Sequence, residues 1–204
     1  MKKIMFNDRY GLTQAVLNGC KTQTRRIIQI GLRNQTDWKA IREGDYEAVV
    51  DGEGYYHDIR RCGQYQIGEE LAVAQRYAND DVLTFNAYDD EGQPRKDGYK
   101  RHQEMLASEG YRNKMFVRAE YMPHRIRITD IKVERLQDIN EMDILREGVY
   151  YYNCGIDNGY TTKGLGYNFS TAHDAFACLI DKVNGAGTWQ KNPWVFAYTF
   201  ELVR

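Results

Sequence analysis

Apolar positions along the chain recur with two periods. Leu12, Ala15, Val16 and Leu17 recur at helical spacing and predict a short helix over 12–18. Ala175, Phe176, Leu179, Ile180 and Val183 give a second helical stripe, capped by Thr171 and stopped by Asn184-Gly185. Strict alternation marks strands instead. Leu71 and Val73 alternate after Gly68. Met115, Val117 and Ala119 do the same. In 125–135, Ile126, Ile128 and Val133 face inward, while Arg125, Arg127 and Lys132 point outward. Trp194, Phe196, Tyr198, Phe200 and Leu202 predict a last strand with an aromatic core face.

The polar punctuation completes the plan. Residues 46–50 and 55–60 read as a hairpin across Asp51-Gly52-Glu53-Gly54. Asp138 followed by Glu141 is a capping-box arrangement. The helix it opens places Ile139, Met142 and Leu145 on one face and ends at Gly148. Residues 100–109 predict a further short helix. The acidic stretch 79–97 and the Tyr-, Asn- and Gly-rich stretch 150–169 read as loops, where function often resides. Gly164-Leu165-Gly166 and Gly185-Ala186-Gly187 read as flexible turns, and Trp38 and Trp189 as loop staples or stacking surfaces. No internal repeat interrupts the pattern. The expectation is one α+β domain over 1–204, long enough to fold on its own core.

Charge changes this picture through its distribution. The net charge is −1, which disfavours a strongly basic nucleic-acid binder. Yet residues 1–33 carry seven Lys/Arg against one acid, and residues 79–97 carry six acids against two bases. A neutral total therefore leaves room for a basic face. The 16 tyrosines supply flat surfaces with polar tips, suited to stacking a base and equally to filling a sheet. Cys20, Cys62, Cys154 and Cys178 are scattered, as are the four histidines. This spacing predicts no metal site and no cofactor, and free thiols fit a cytoplasmic location. No apolar run approaches the ~20 residues of a membrane span, nor does one follow Met1-Lys2-Lys3 as a signal peptide would require. The oligomeric state is not encoded in any feature of the pattern.

The densest candidate chemistry is Gly19-Cys20-Lys21-Thr22-Gln23-Thr24-Arg25-Arg26, just past the first helix. Gly19 serves as a left-handed stop. Lys21, Thr22, Thr24, Arg25 and Arg26 then supply cations and hydroxyls that suit a phosphate or a polar base edge. The alternative is a solvated basic turn. Arg125 and Arg127 add two outward cations, with ordinary surface charge as the alternative.

The segment 15–26, with Gly19, Lys21, Thr24 and Arg26 in a Gly-x-Lys-x-x-Thr-x-Arg pattern, resembles the opening signature of the ASCH domain family. Met122-Pro123, Arg125–Ile128 and Val133–Ile139, ending in Glu147-Gly148-Val149, resemble the middle of its phage and prophage versions. Asn192–Phe196 running into Phe200-Glu201-Leu202 resembles the tail. The resemblance covers about half of the chain. It leaves 31–66, 78–112 and 150–169 as insertions. It implies a small, mostly antiparallel PUA-like β-barrel with flanking helices. It also implies recognition of RNA or a small modified nucleoside in a cleft between the first turn and the 138–148 helix. There Gly19, Lys21, Thr22, Arg25, Arg26, Arg125 and Arg127 would contact the ligand, and Tyr121 or tyrosines of 150–160 would stack a base. One branch of the family cleaves amides on N4-acylated cytidines with a Lys, Thr and Glu set, which falls here on Lys21, Thr24 and Glu147. The alternative for these is an internal Lys21–Glu147 ion pair with Thr24 as a turn hydroxyl.

Overall fold

The computed structural model describes residues 1–28, 39–43, 46–50, 54–58, 63–155 and 157–203. The protein is α+β. A five-stranded, mostly antiparallel sheet has the order β1 (Lys2–Ile4), β6 (Glu70–Val73), β7 (Arg125–Arg135), β10 (Trp194–Val203), β2 (Gln23–Ile27). Among the described residues this sheet is open rather than closed on itself. β3 (Lys39–Glu43), β4 (Tyr46–Val50) and β5 (Tyr56–Asp58) form a separate antiparallel sheet. The expected pairing of 46–50 with 55–60 is thus present, Val50 opposite Tyr56, although Asp51–Glu53 of its turn lie outside the described residues, as do Trp38 and Cys62. No described helix is long and apolar enough to cross a membrane.

The chain divides into two compact units. The first comprises Met1–Phe6, Glu70–Arg127 and Leu202–Arg204. In it β1 runs parallel to β6, and β6 pairs antiparallel with the start of β7, Leu71 opposite Ile126. Tyr77, Val82, Met105, Tyr121 and Met122 pack one buried cluster with Ala72, Ala74 and Val117. Two expectations fail here. The stretch read as an acidic loop contains α2 (Asp80–Ala87), because Asp80 and Asp81 fall in the first turn, where carboxylates favour a helix, and Val82 seats it in the core. The strand expected around Met115 is replaced by two 3₁₀ turns, Lys114–Phe116 and Ala119–Tyr121, the first capped by the Asn113 side chain. The helix expected over 100–109 is α3 (Gly98–Ala107).

The second unit comprises Asn7–Glu69 and Ile128–Glu201. β2 and β10 pair antiparallel, with Thr24 opposite Tyr198. Trp194 through Tyr198 are buried without a break, so the last strand is covered on both faces, not on the aromatic face alone. α1 (Leu12–Leu17) ends as expected, with Gly19 at φ 73. α4 (Glu141–Arg146) starts later than the capping box implied. Leu136–Asp138 forms a 3₁₀ turn, and Asn140 caps the helix by accepting from the Asp143 N–H at 2.9 Å. The buried face of α4 is then Asp143 and Ile144, while Met142 is turned out at 63% exposure. α5 (Ala172–Asn184) carries the expected Thr171 cap and the Ala175, Phe176, Leu179, Ile180 stripe. Burying Phe176 and Leu179 contributes roughly 1.5–3 kcal/mol each. The short α6 (Thr188–Lys191) sets Trp189 edge-on against Phe176, ring centroids 6.0 Å apart, in the stapling role. The stretch 150–169 holds a hairpin, not a structureless loop. β8 (Tyr150–Cys154) pairs with β9 (Asp157–Thr161), its register set by β-prone tyrosines and a turn through Gly155 at φ 69.

Candidate functional site

β2 alternates its side chains, so Gln23, Arg25 and Ile27 take one face and Thr24 and Arg26 the other. The Arg25 face meets β7 and α4. Arg25 Nε donates to Glu134 Oε1 at 2.8 Å, Nη1 lies 3.0 Å from Glu147 Oε1, and Nη2 lies 3.5 Å from Asp143 Oδ2. Lys21, just before β2, donates from Nζ to Glu147 Oε2 at 2.6 Å and to the Glu147 carbonyl oxygen at 2.7 Å. Lys132 Nζ closes the group, 3.0 Å from both Glu134 Oε2 and Asp143 Oδ2. Glu134, Asp143 and Glu147 therefore pair with Lys21, Arg25 and Lys132, and Asp143 also holds the half-exposed Arg146 at 3.3 Å, in a largely buried setting where each charge requires a partner.

Burial and the paired charges together set the titration of this group. Desolvation lowers the Lys21 ammonium below its ordinary 10.5, although the Glu147 charge and hydrogen bond pull the other way. Desolvation pushes Asp143 up, yet the Lys132 hydrogen bond and charge, together with Arg25, hold it below 3.8. Lys132 also loses solvation, but Glu134 and Asp143 raise it above 10.5.

The structure thus brings Lys21, Arg25 and Glu147 together. Thr24 is buried and carried on the opposite face of β2 from Arg25, across from Tyr198. Arg26 shares that face, and its charge reaches Tyr65. Thr22 is held by its backbone, donating to the Arg146 carbonyl and accepting from Phe200 N–H, both at 2.9 Å. Gly19 is exposed. Tyr121, Arg125 and Arg127 belong to the other unit. Arg127 pairs with Glu70 at 2.8 Å, and Arg125 lies 4.0 Å from the same residue. Tyr121 is buried. Its hydroxyl bonds Glu104 at 2.5 Å, and its ring packs against Tyr77, Arg101 and Arg118, which occupies the surface a base would stack on. No described group of His, Cys, Asp and Glu has the arrangement of a metal site.

Beside the charged cluster lies a cavity of about 600 Å³. α1 contributes Gln14, Ala15 and Asn18 nearby; Cys20 follows; Leu145, Gly148 and Val149 form the end of α4; Tyr150, Tyr151 and Tyr160 come from the β8–β9 hairpin; and Tyr10 and Lys163 complete it. Gly148, at φ 99, is the shared wall. A β-carbon there would sit 3.3 Å from Leu12 Cδ2 and 3.7 Å from Lys21 Cβ. Lys21 and Glu147 are thus sequence neighbours of cavity residues without lining the cavity themselves.

Compared with protein-family models, curated proteins and solved structures, the chain matches none. The site accordingly rests on geometry. Sequence reasoning missed Lys132, Glu134 and Asp143, whose polar pattern on a strand and a helix reads as surface, and Lys163, a lone lysine in an irregular segment. The one available signal was Gln14 and Asn18, an i,i+4 pair of amides on a helix face.

Proposed function

We propose that this protein binds a modified nucleoside or an RNA end in the cleft between the turn after α1 and the end of α4, as the ASCH resemblance implies. The observation that carries this reading is the tyrosine-walled cavity at that place. Tyr150 and Tyr151 keep 46% and 55% of their surface exposed, and Tyr151 meets Tyr160 edge-on at 5.2 Å. Exposed rings flanking a concave site suit stacking of a planar base, a contact worth about 1–3 kcal/mol per base. The volume falls in the range of roughly 300–1,000 Å³ that small ligands occupy. Lys21, Arg25 and Glu147, which do not line the cavity, then brace the chain beside Cys20 and Gly148 rather than act as a phosphate receptor. A PUA-like barrel remains part of this proposal, with the open sheet as its framework.

The test is calorimetric titration with nucleosides, N4-acylated cytidines and short single-stranded RNAs, against a Tyr150→Ala/Tyr151→Ala variant. Binding that weakens about five- to hundredfold in the variant is expected. Binding indifferent to both tyrosines would sink the reading.

One observation favours a second reading, amide hydrolysis. The buried Lys21, with its proton affinity reduced, is suited to general-base work, and Glu147 orients it. Thr24 lies on the opposite face of β2, so in this scheme Lys21 takes a proton from a water, the water oxygen attacks the acyl carbon, and the same proton passes to the leaving nitrogen as the C–N bond breaks. Cytidine release from N4-acetylcytidine that vanishes in Lys21→Met is the expected result. No release by the folded wild-type protein would exclude it.

A further inference from the structure

The cavity is polarised in a way the nucleoside reading does not use. Among the described residues, Lys163 is the only charged one that lines it. Among the described residues Lys163 makes no ion pair and sits exposed. Its position is nonetheless built. Gly11, at φ 68, precedes α1, and a β-carbon on it would fall 2.8 Å from Lys163 Cβ and 3.1 Å from Cδ. The lysine stem therefore lies across bare glycine backbone, and this contact positions a flexible side chain at the cavity. Among the described residues, no carboxylate lines the cavity. Glu141 stands outside the lining and is engaged by the Tyr160 hydroxyl at 2.6 Å.

A second polar feature shares the cavity. Gln14 Nε2 donates to Asn18 Oδ1 at 2.8 Å. That bond leaves the Gln14 carbonyl oxygen as an acceptor and the Asn18 amide nitrogen as a donor, side by side at the C-terminal end of α1. Every nucleobase offers a neighbouring donor and acceptor on its pairing edge, so this pair complements a base without selecting which one. Tyrosine faces, an amide pair and one cation without an acidic partner thus occupy a single concavity.

We infer that the ligand is a nucleoside monophosphate, its base between the tyrosines and the Gln14–Asn18 pair and its phosphate on Lys163. This rests on the cleft reading above and adds the anionic group to it. A cation with no carboxylate competitor attracts a phosphate by direct charge pairing, and a partly exposed site makes the attraction sensitive to salt.

The experiment is calorimetric titration of the full chain with uridine and with uridine 5′-monophosphate, at low and at raised salt. Wild type is compared with Lys163→Met, which keeps the apolar stem and is checked by circular dichroism. The monophosphate is expected to bind about tenfold tighter than the nucleoside in low salt. That advantage should shrink as salt is raised and vanish in Lys163→Met, with uridine affinity retained. Equal affinities in wild type, or an advantage that survives Lys163→Met, would overturn the phosphate assignment and leave the cleft reading standing. Binding of neither compound would overturn this inference, and if the N4-acylated cytidines and short RNAs also fail to bind, the cleft reading falls with it. A 5′-phosphorylated tetranucleotide that binds tighter than the mononucleotide would overturn the free monophosphate as ligand in favour of an RNA end.

Discussion

Two neighbouring regions of the second unit separate the features that the sequence of Gly19–Arg26 concentrates in one segment. The cluster around Arg25 is dense in charge, buried and internally paired. The cavity across Gly148 is open, walled by tyrosine and, among the described residues, lined by a single cation. The difference teaches that a basic run is not by itself a receptor. Alternation along β2 sends Arg25 into a nest of carboxylates, and the fold spends its strongest cations on its own cohesion. In the proposed reading, recognition falls to residues of weaker individual character that happen to be exposed.

The sharpest way to break this contrast is Glu147→Gln. The change keeps the shape but removes the charge that faces both Lys21 and Arg25. Two buried cations would lose a shared partner, and removing one side of a buried pair costs about 3–5 kcal/mol. Urea denaturation should show a loss of that size. Lys21→Met should cost less, because Glu147 keeps Arg25 at 3.0 Å. Equal, small losses in both variants would mean that the cluster is wetter than its burial indicates.

Gly148→Ala tests the wall between the two regions. The residue adopts φ 99, where any side chain is strained, and its β-carbon would press on Leu12 at 3.3 Å. A cost of about 1–3 kcal/mol is expected in the same denaturation assay. Nucleoside affinity should fall as well, since the added methyl lies at a cavity-lining position. Lost stability with unchanged affinity would separate the wall from the site.

A smaller effect distinguishes the two lysines of the cluster. Burial lowers Lys21, so between its lowered folded value and 10.5 the unfolded chain binds this proton more tightly than the native one. Stability due to Lys21 therefore rises with pH through that window and is level above it. Lys132, raised above 10.5, behaves oppositely: its contribution is full below 10.5 and is lost as pH rises through the folded value. The stability of wild type minus that of Lys21→Met, followed by denaturation midpoints at increasing pH, should climb up to 10.5. Parallel curves would show that Lys21 titrates as an exposed lysine does.

How far the sequence disclosed this arrangement depends on the range of the signal. Thr171, Gly19 and the Phe176 stripe act within a few residues of themselves, and the elements they predict are present. Signals that compete locally were misread. Asp80 and Asp81 resemble loop composition, yet they serve a helix start once Val82 has a core to enter. Asp138 is a good cap, but Asn140 is in place when α4 turns Asp143 toward Arg25 and Lys132. The Lys21–Glu147 pair was legible only as an alternative within the resemblance, because its partners stand 126 residues apart. The cavity was less legible still. It combines a helix face, a helix end, a hairpin and Lys163, and no local pattern announces that Gly11 will receive a lysine stem.

The smallest expected effect concerns the two arginines whose outward orientation the alternation of β7 did foresee. Arg125 and Arg127 lie on a half-exposed surface of the first unit and share Glu70, at 4.0 and 2.8 Å. Exposed pairs of this kind contribute about 0–1 kcal/mol, since water screens the attraction and holding two long side chains costs entropy. Arg125→Ala and Arg127→Ala should therefore leave the denaturation midpoint nearly unchanged. They should also leave uridine 5′-monophosphate affinity intact, because neither residue lines the cavity. Affinity for a longer RNA is the discriminating readout. If it too is unaffected, the tyrosine cavity accounts for recognition unaided. If it drops and its salt dependence weakens by about one counterion per arginine removed, the first unit supplies a phosphate contact of its own, and the division between a cohesive cluster and a binding cavity has to be widened to include it.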